Sequence, residues 1–332
     1  MREASFYTKD GDAAACHLCP RECRIPAGKR GACGTRENVE GTLYAVTYGK
    51  PCSMAVDPIE KKPLYHFLPG SRAFSIATEG CNLFCKWCQN SEISHPRRDE
   101  PYEPYGEVSP DEAIRLCRRE GCDVIAFTYT EPTVFYEYML DIAKRAKEAG
   151  IRTVMISNGY INEEPLRELA PYLDGANIDL KAFTDKAHLK WTAARLQPVL
   201  DTLERLHEMG VHVELTTLVV PGVNDDEGQL QGMYDWVKQH LGEGQVVHIS
   251  RFFPSYKAKD KGPTPHETLE EAKRIAKARV DHVYVGNIGV AEETTCPSCG
   301  KALVERSFGG STSRVNPDGM CSCGQRIPGV WS

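Results

Sequence analysis

The chain has 332 residues, 41% of them hydrophobic and 26% charged, with a formal net charge of −6 at pH 7. That composition specifies a globular protein with a real core, as one large domain with appendages or two ordinary ones. The negative balance excludes a general nucleic-acid or anionic-membrane surface and leaves room only for local basic patches. The opening MREASFYTKDGDAAAC lacks an apolar leader core, and no apolar run reaches the roughly 18–20 residues of a bilayer span, so a cytoplasmic protein with no membrane partner is expected.

Residues 1–40 are poor in aliphatic runs and hold Cys16, Cys19, Cys23 and Cys33 in the spacing C-x2-C-x3-C-x9-C. So small a segment needs a metal to fold. Four thiolates close a structural zinc site or saturate an auxiliary iron–sulfur cluster, and the spacing does not choose between them. Residues 41–70 read as a connecting segment.

Residues 71–290 alternate strand and helix. RAFSIAT (72–78) is an apolar strand that runs into GCNLFCKWCQN (80–90). Ser109-Pro110-Asp111-Glu112 has the form of a helix start, with Ser as N-cap, Pro at the first position and an acid three residues after the cap. Strands follow at 123–129, 151–157, 175–181, 211–220, 245–252 and HVYVGN, separated by helices at 133–149, from Asn162, through Leu196, Val199, Leu200, Leu203 and Leu206, at 225–241 and near 266–279. About six βα units build a parallel sheet with helices outside, as an open doubly wound sheet or a partial barrel. Either arrangement places ligands at the C-terminal ends of the strands. The polar groups gather there: Glu79 and the cysteine loop, Thr128 to Glu131, Ser157 to Gly159, Asp179 with Lys181, and His248 to Arg251.

The last segment, 291–332, holds Cys296, Cys299, Cys321 and Cys323, which read as the two knuckles of a zinc ribbon whose second pair is shortened to C-x-C. Such a ribbon binds nucleic acid or a protein partner, or simply staples the C-terminus. Cys52, Cys117 and Cys122 stand apart and read as core fillers. FFPSYKAKDKGP (252–263) is a basic, aromatic loop that suits an anionic substrate such as RNA, or is plain solvated surface.

Cys81, Cys85 and Cys88 are spaced C-x3-C-x2-C with no fourth cysteine nearby. Three thiolates hold a cubane by three of its irons and leave one open for chemistry, where four would saturate it. The plainer alternatives are a zinc site with a distant ligand such as His95, or three core cysteines. On the loop after the first strand this spacing resembles the radical S-adenosylmethionine (SAM) superfamily. TYTEP (128–132) is similar to that family's Gly-Gly-Glu-Pro motif, with Tyr129 and Thr130 in place of the two glycines. SNGY (157–160), DLK (179–181), LVVPGVND (218–225) and HISRFFPS resemble the pyruvate formate-lyase activating-enzyme branch. DPIEKKPLYHFLPGS, YTEPTVFYEY, NIDLKAF and the closing IPGVW resemble the AmmeMemoRadiSam radical enzymes. HLKWTAARLQPVL (188–200) departs from that pattern, because a cysteine commonly lies where Thr192 or Ala193 falls, so no role for such a thiol is carried over.

The resemblance implies a partial (β/α)6 TIM-type barrel of the radical SAM class with small Cys-rich segments at both ends. It implies a 4Fe-4S cluster on Cys81, Cys85 and Cys88, with Trp87 packed beside it, and reductive cleavage of SAM to a 5′-deoxyadenosyl radical that takes hydrogen from a substrate. Thr130 and Glu131 become candidates for the SAM amino end, Asp179, Lys181 and His248 for its ribose, carboxylate or adenine, and Ser157, Asn158 and Arg251 complete the set of cofactor-contact candidates. It further implies an external electron donor of the flavodoxin or ferredoxin type, partner proteins of the Memo type, and a small-molecule, RNA or protein substrate. One version is a glycyl-radical-enzyme activase. A reading of another class is a non-catalytic zinc or iron–sulfur module that binds nucleic acid or protein.

Overall fold

The computed structural model describes residues 1–95, 104–290, 292–307 and 310–332; Ala291, where the C-terminal segment was expected to begin, lies outside them. Six short strands open the chain: β1 (Arg2–Glu3), β2 (Tyr7–Asp10), β3 (Ala13–Cys16), β4 (Arg24–Ile25), β5 (Arg36–Val39) and β6 (Thr42–Ala45). They form two three-stranded antiparallel sheets, β2-β3-β4 and β1-β6-β5. The β5–β6 hairpin turns through Glu40 and Gly41, both with positive φ (51° and 81°), as a two-residue mirror-image turn requires. This hairpin spans the boundary expected at residue 40.

The main sheet follows, with β7 (Ser53–Pro58), β8 (Arg72–Ala77), β9 (Val124–Phe127), β10 (Arg152–Ser157), β11 (Gly175–Asp179), β12 (His212–Val219), β13 (Val246–Arg251) and β14 (His282–Gly286). Its spatial order is the chain order, β14 through β7, and every pair from β8 to β14 is parallel while β7 is antiparallel at the edge. Right-handed crossovers in a sheet that never reverses its order put every helix on one face. That decides for the partial barrel over the doubly wound sheet. The helices are α1 (Ser91–Ser94), α2 (Pro110–Arg119), α3 (Tyr136–Glu148), α4 (Glu163–Leu169), α5 (Asp185–Thr192), α6 (Gln197–Glu208), α7 (Glu227–Leu241) and α8 (His266–Lys277). Ser109 caps α2 by accepting from the Glu112 amide, as its sequence specifies. A C-terminal antiparallel sheet, β15 (Thr294–Thr295), β16 (Ala302–Ser307) and β17 (Gly310–Ser313), ends the chain. No helix among the described residues is long and apolar enough to cross a membrane.

Alternation along the strands divides the core. Phe74, Ile76, Ile125, Phe127 and Met155 pack outward with the helices. Ala73, Val124, Ala126 and Val154 face inward onto Ile59, Leu64 and Phe67. Residues 59–68 therefore plug the lower half of the barrel. The fit is close: a Cβ at Gly175 would come within 2.9 Å of the Phe67 ring. Asn177 donates to the Pro63 carbonyl at 2.7 Å. Glu214, fully buried, accepts from the Tyr65 and His66 amides at 2.9 and 2.7 Å, and from Nε2 of His212 and His248 at 3.0 and 2.6 Å.

Burial pushes the Glu214 carboxyl up, but the hydrogen bonds from His212 and His248 outweigh it and hold the carboxyl well below its usual range. Bonds to a charged group are worth about 1.5–3 kcal/mol each, so Glu214→Ala should cost about 3 kcal/mol or more in urea unfolding. The stabilisation from the depressed carboxyl is complete above its unfolded value of about 4.3 and is lost as pH falls toward the folded value. Glu214→Gln should therefore flatten the acid limb of a stability-versus-pH curve; an unchanged limb would contradict the ionised floor.

Candidate metal and cofactor site

The end of β8 leads through Thr78 and Glu79 to the cysteine loop. Gly80 takes φ +99°, and a Cβ there would lie 2.6 Å from the Cys33 carbonyl oxygen and 2.5 Å from Thr35 Cγ2, so only glycine fits. The loop is pinned from both sides. Phe84 and Lys86 amides donate to the Thr192 and Trp191 carbonyls at 2.8 and 3.0 Å. Ser255 Oγ donates to the Cys88 carbonyl at 3.2 Å, and the Lys257 amide donates to the Lys86 carbonyl at 2.8 Å. The basic aromatic loop 252–263 thus covers the cysteine loop. Trp87 is buried with its ring 5.8 Å from that of Trp191.

Cys85 is buried, and Cys81 and Cys88 are partly so. Burial pushes the Cys85 thiol up to about 11, opposed by Lys181, and raises Cys81 well above its usual value, with the Glu131 carboxylate adding to it. Such thiols stay protonated until a metal displaces the proton. The surroundings fit an iron–sulfur cluster. The Leu83 amide approaches Cys81 Sγ at 3.4 Å and Asn158 Nδ2 approaches it at 3.7 Å, and N–H donors of this kind tune cluster sulfurs.

The strand ends beside the loop form one network. Glu131 is 1% exposed and accepts from the Thr133 amide at 3.0 Å, Ser157 Oγ at 2.8 Å and the Asn158 amide at 2.9 Å. Burial is the main cause of its raised carboxyl value. Asn158 Nδ2 donates to Asn82 Oδ1 at 2.9 Å, and Asn82 Nδ2 to the Tyr160 carbonyl at 2.7 Å. Thr130 Oγ1 donates to the Thr78 carbonyl at 2.7 Å. Lys181 pairs with Asp179 at 2.9 Å. Burial pulls the Lys181 ammonium down, but Asp179 and Cys85 raise it further, so it is a permanent cation facing the cysteine loop. Thr216, in register with Asp179 and His248 on the inner face, has a buried hydroxyl with no partner among the described residues.

Tyr129 stands where the resemblance expects glycine. It keeps a glycine-like φ of +67° and turns its ring downward, so that its hydroxyl donates to Asp57 and the Lys62 ammonium lies 4.4 Å from its centroid. The Tyr129 carbonyl accepts from Asn90 Nδ2 at 2.6 Å. His248 sits in mid-strand, bonded to Glu214 and edge-on to Tyr65 at 4.8 Å, within the floor. Arg251 falls on the helix-facing side of β13 with Val247 and Ile249, and its Nε donates to the Thr264 carbonyl at 2.9 Å. The structure gathers Thr130, Glu131, Ser157, Asn158, Asp179 and Lys181 around the three cysteines; His248 is level with Asp179 and Thr216 on the inner face but bonded to Glu214, and Arg251 falls on the helix-facing side. Sequence reasoning missed Asn82, Asp57 and Lys62. Asn82 was visible in the Gly-Cys-Asn turn; Asp57 and Lys62 lie within DPIEKKPLYHFLPGS, whose resemblance gave no role to either residue before the plug was seen.

The two terminal cysteine groups differ. The ligand atoms of Cys296, Cys299, Cys321 and Cys323 all lie within 4.8 Å of one another, with Sγ pairs at 3.6 and 3.8 Å. A tetrahedral ion with metal–sulfur bonds of about 2.3 Å holds its sulfurs about 3.8 Å apart. Cys16, Cys19, Cys23 and Cys33 line a single cleft with Ile25 and Arg36 but do not form so tight a group. The C-terminal unit is docked on the barrel floor. Arg306 donates to the Tyr65 carbonyl at 2.7 Å and stacks 4.2 Å from the Tyr65 ring, and Leu68 and Val330 amides donate to the Val330 and His66 carbonyls at 2.8 Å each.

The model of the Radical SAM superfamily matches residues 75–230. An uncharacterized protein of Methanocaldococcus jannaschii is 47% identical over 310 residues, 92% of either chain. A pyruvate formate-lyase-activating enzyme of Staphylococcus epidermidis is 27% identical over 49% of this chain and 67% of its own. A putative glycyl-radical enzyme activating enzyme of Methanocaldococcus jannaschii is 27% identical over 63% of this chain and 86% of its own. In fold, the chain is similar to a radical SAM methyltransferase from Sphaerobacter thermophilus, with a TM-score of 0.52 and 17% identity over 66% of this chain and 67% of the other. Residues 75–230 form a domain of the radical SAM superfamily, and the chain has relatives in the pyruvate formate-lyase-activating-enzyme branch.

Proposed function

We propose that the protein is a radical enzyme that binds SAM beside a 4Fe-4S cluster held by Cys81, Cys85 and Cys88. The observation that carries this reading is the convergence of Glu131, Asn158 and Lys181 on a loop with three thiols and no fourth. When bound, the pair supplies one-electron cleavage of a sulfonium carbon–sulfur bond, giving methionine and a 5′-deoxyadenosyl radical. The chain's own residues would bind and orient. The Thr130–Glu131 backbone, fixed by Thr78 and Ser157, offers acceptors to an ammonium. Lys181 suits a carboxylate, and Thr216 has a free hydroxyl for the sugar end. The plug at 59–68 closes the barrel from below, so substrate enters from the loop side and water is kept from the floor.

The activating-enzyme relatives support an activase that takes hydrogen from a protein substrate. The plug and the closing IPGVW, which carry the AmmeMemoRadiSam resemblance, support partners of the Memo type, and a donor of the flavodoxin or ferredoxin class would supply the electron. We assign zinc to Cys296, Cys299, Cys321 and Cys323 on their spacing, as a staple for the floor rather than a free-standing nucleic-acid finger. The segments 1–40, 41–70, 71–290 and 291–332 then serve as metal unit, plug-bearing connector, radical core and clamp. Fourteen free thiols suit a reducing cytoplasm.

Anaerobic protein with a full cluster, a strong reductant and SAM should release 5′-deoxyadenosine. Cys88→Ala should reduce it to background and Cys299→Ala should not. No product from fully loaded wild type would refute the enzyme reading. Cys299→Ala should instead lose about one zinc per chain and expose Lys301, Arg306 and Arg314 to trypsin, since zinc binding energy is folding energy for so small a unit; unchanged zinc and unchanged cleavage would argue against the staple.

A further inference from the structure

The structure assigns the four N-terminal cysteines to a second, fully thiolate-ligated iron–sulfur cluster that stands next to the first and feeds it electrons. The identity of the cluster rests on this chain's own geometry; the relay rests also on the radical SAM reading.

The molecule contains its own standard for a zinc-sized site. At the C-terminus four sulfurs converge within 4.8 Å. Cys16, Cys19, Cys23 and Cys33 face one cleft yet do not close to that spacing. A cubane holds its outer thiolates roughly 6 Å apart, because each sulfur is bound to a different iron. The backbone around these cysteines is pinned, by Cys16 N–H to Cys23 O at 2.9 Å and by Gly31 N–H to Arg36 O at 2.9 Å. Leu18, Ile25 and Val134 make the wall apolar.

A second observation points to the same occupant. Arg36 is 1% exposed and lines the cleft. Its two terminal nitrogens each bond the Glu137 carboxylate at 2.9 Å, while its Nε is buried without a partner among the described residues. A buried N–H left over beside four thiols suits a cluster sulfur as acceptor.

The two sites are adjacent. The Cys33 carbonyl lies against Gly80, the residue before Cys81. Asn82, the residue after Cys81, lines the N-terminal cleft and also takes the Asn158 bond. Arg21, two residues beyond Cys19, donates to the Asn82 carbonyl and, at 2.8 Å, to that of Ala193. In the relay a reduced flavodoxin- or ferredoxin-type donor loses one electron and the N-terminal cluster gains it. The N-terminal cluster returns to its oxidised state as the cluster at Cys81, Cys85 and Cys88 is reduced, and no bond forms or breaks.

The test uses the full chain, reconstituted anaerobically with iron and sulfide. The triple variant Cys81→Ala, Cys85→Ala, Cys88→Ala should keep about four irons per chain and, on dithionite reduction, an electron-spin signal that SAM does not change, against about eight irons in wild type. A triple variant with no iron, or wild type with about four irons and about two zincs, would overturn the cluster. Should the triple variant fail to fold, the wild-type iron and zinc counts decide alone. For the relay, Cys19→Ser with Cys33→Ser should cut 5′-deoxyadenosine formation at least tenfold with reduced flavodoxin and less than threefold with dithionite, which reaches the first cluster directly. Equal loss with both reductants overturns the relay. Absence of product from wild type with dithionite refutes the enzyme reading and the relay with it, and leaves the iron count to judge the cluster.

Discussion

One buried carboxylate sets the architecture. A parallel sheet that keeps chain order puts all its helices outside and leaves an inner face to fill. In the lower half that face carries polar strand residues, His212, Glu214, His248 and Tyr284, which are costly to bury unpaired. Glu214 solves this by accepting from two backbone amides of the plug and two imidazoles of the wall. The plug is thereby fixed as part of the barrel, and the lower half of the inner face is filled, away from the cysteine loop at the upper end.

The C-terminal unit completes the same floor. Tyr284 joins His66 Nε2 and Thr294 Oγ1, each at 2.7 Å, and Arg306 continues from Thr294 to the Tyr65 carbonyl. His66 Nδ1 meets the Pro328 carbonyl at 2.7 Å. The bonds to His66 and to the Tyr65 carbonyl tie residues more than two hundred positions apart in the chain, so the cysteines that hold the small unit together also act on the barrel. The closing IPGVW has a physical reason in this contact: Phe67 and Val330 bridge as parallel strands, and Gly329 packs so closely on the His66 carbonyl that a Cβ would lie 2.5 Å away.

The sequence was most legible where one local rule was enough. The seven parallel strands were readable as apolar runs, and α2 from its cap, proline and acid. The three-cysteine spacing needed no structure at all. What stayed hidden depends on long-range fit. β7 has a half-buried pattern without an apolar run, because it is an edge strand, and the DPIEKKPLYHFLPGS plug reads as polar linker because its partners lie on β11 to β14. α5 is short and ends at Ala193 in a left-handed conformation without the usual glycine. Arg251 looked like a rim residue because strand ends cannot be counted to the residue from sequence. One position of register separates the inner from the outer face.

Tyr129 joins floor and rim. A left-handed conformation costs a non-glycine residue roughly 1–2 kcal/mol, and Tyr129 accepts that cost at the first of the two positions where the motif resemblance expects glycine. The return is a hydroxyl bond to Asp57 and a buried Lys62 ammonium over the ring. Burial pushes Asp57 up, but Lys62 and Tyr129 together hold its carboxyl below the usual range, so the Asp57–Lys62 pair is ionised within the barrel. Lys62 belongs to the plug and Tyr129 immediately precedes Thr130 and Glu131. A shift of the plug would therefore be felt through two residues of backbone at Thr130 and Glu131, with no need for a flexible intermediary. That coupling explains how a side chain can replace glycine here: the ring is held downward by the same charge pair that anchors the plug, while the Tyr129 carbonyl accepts from Asn90 Nδ2 at 2.6 Å.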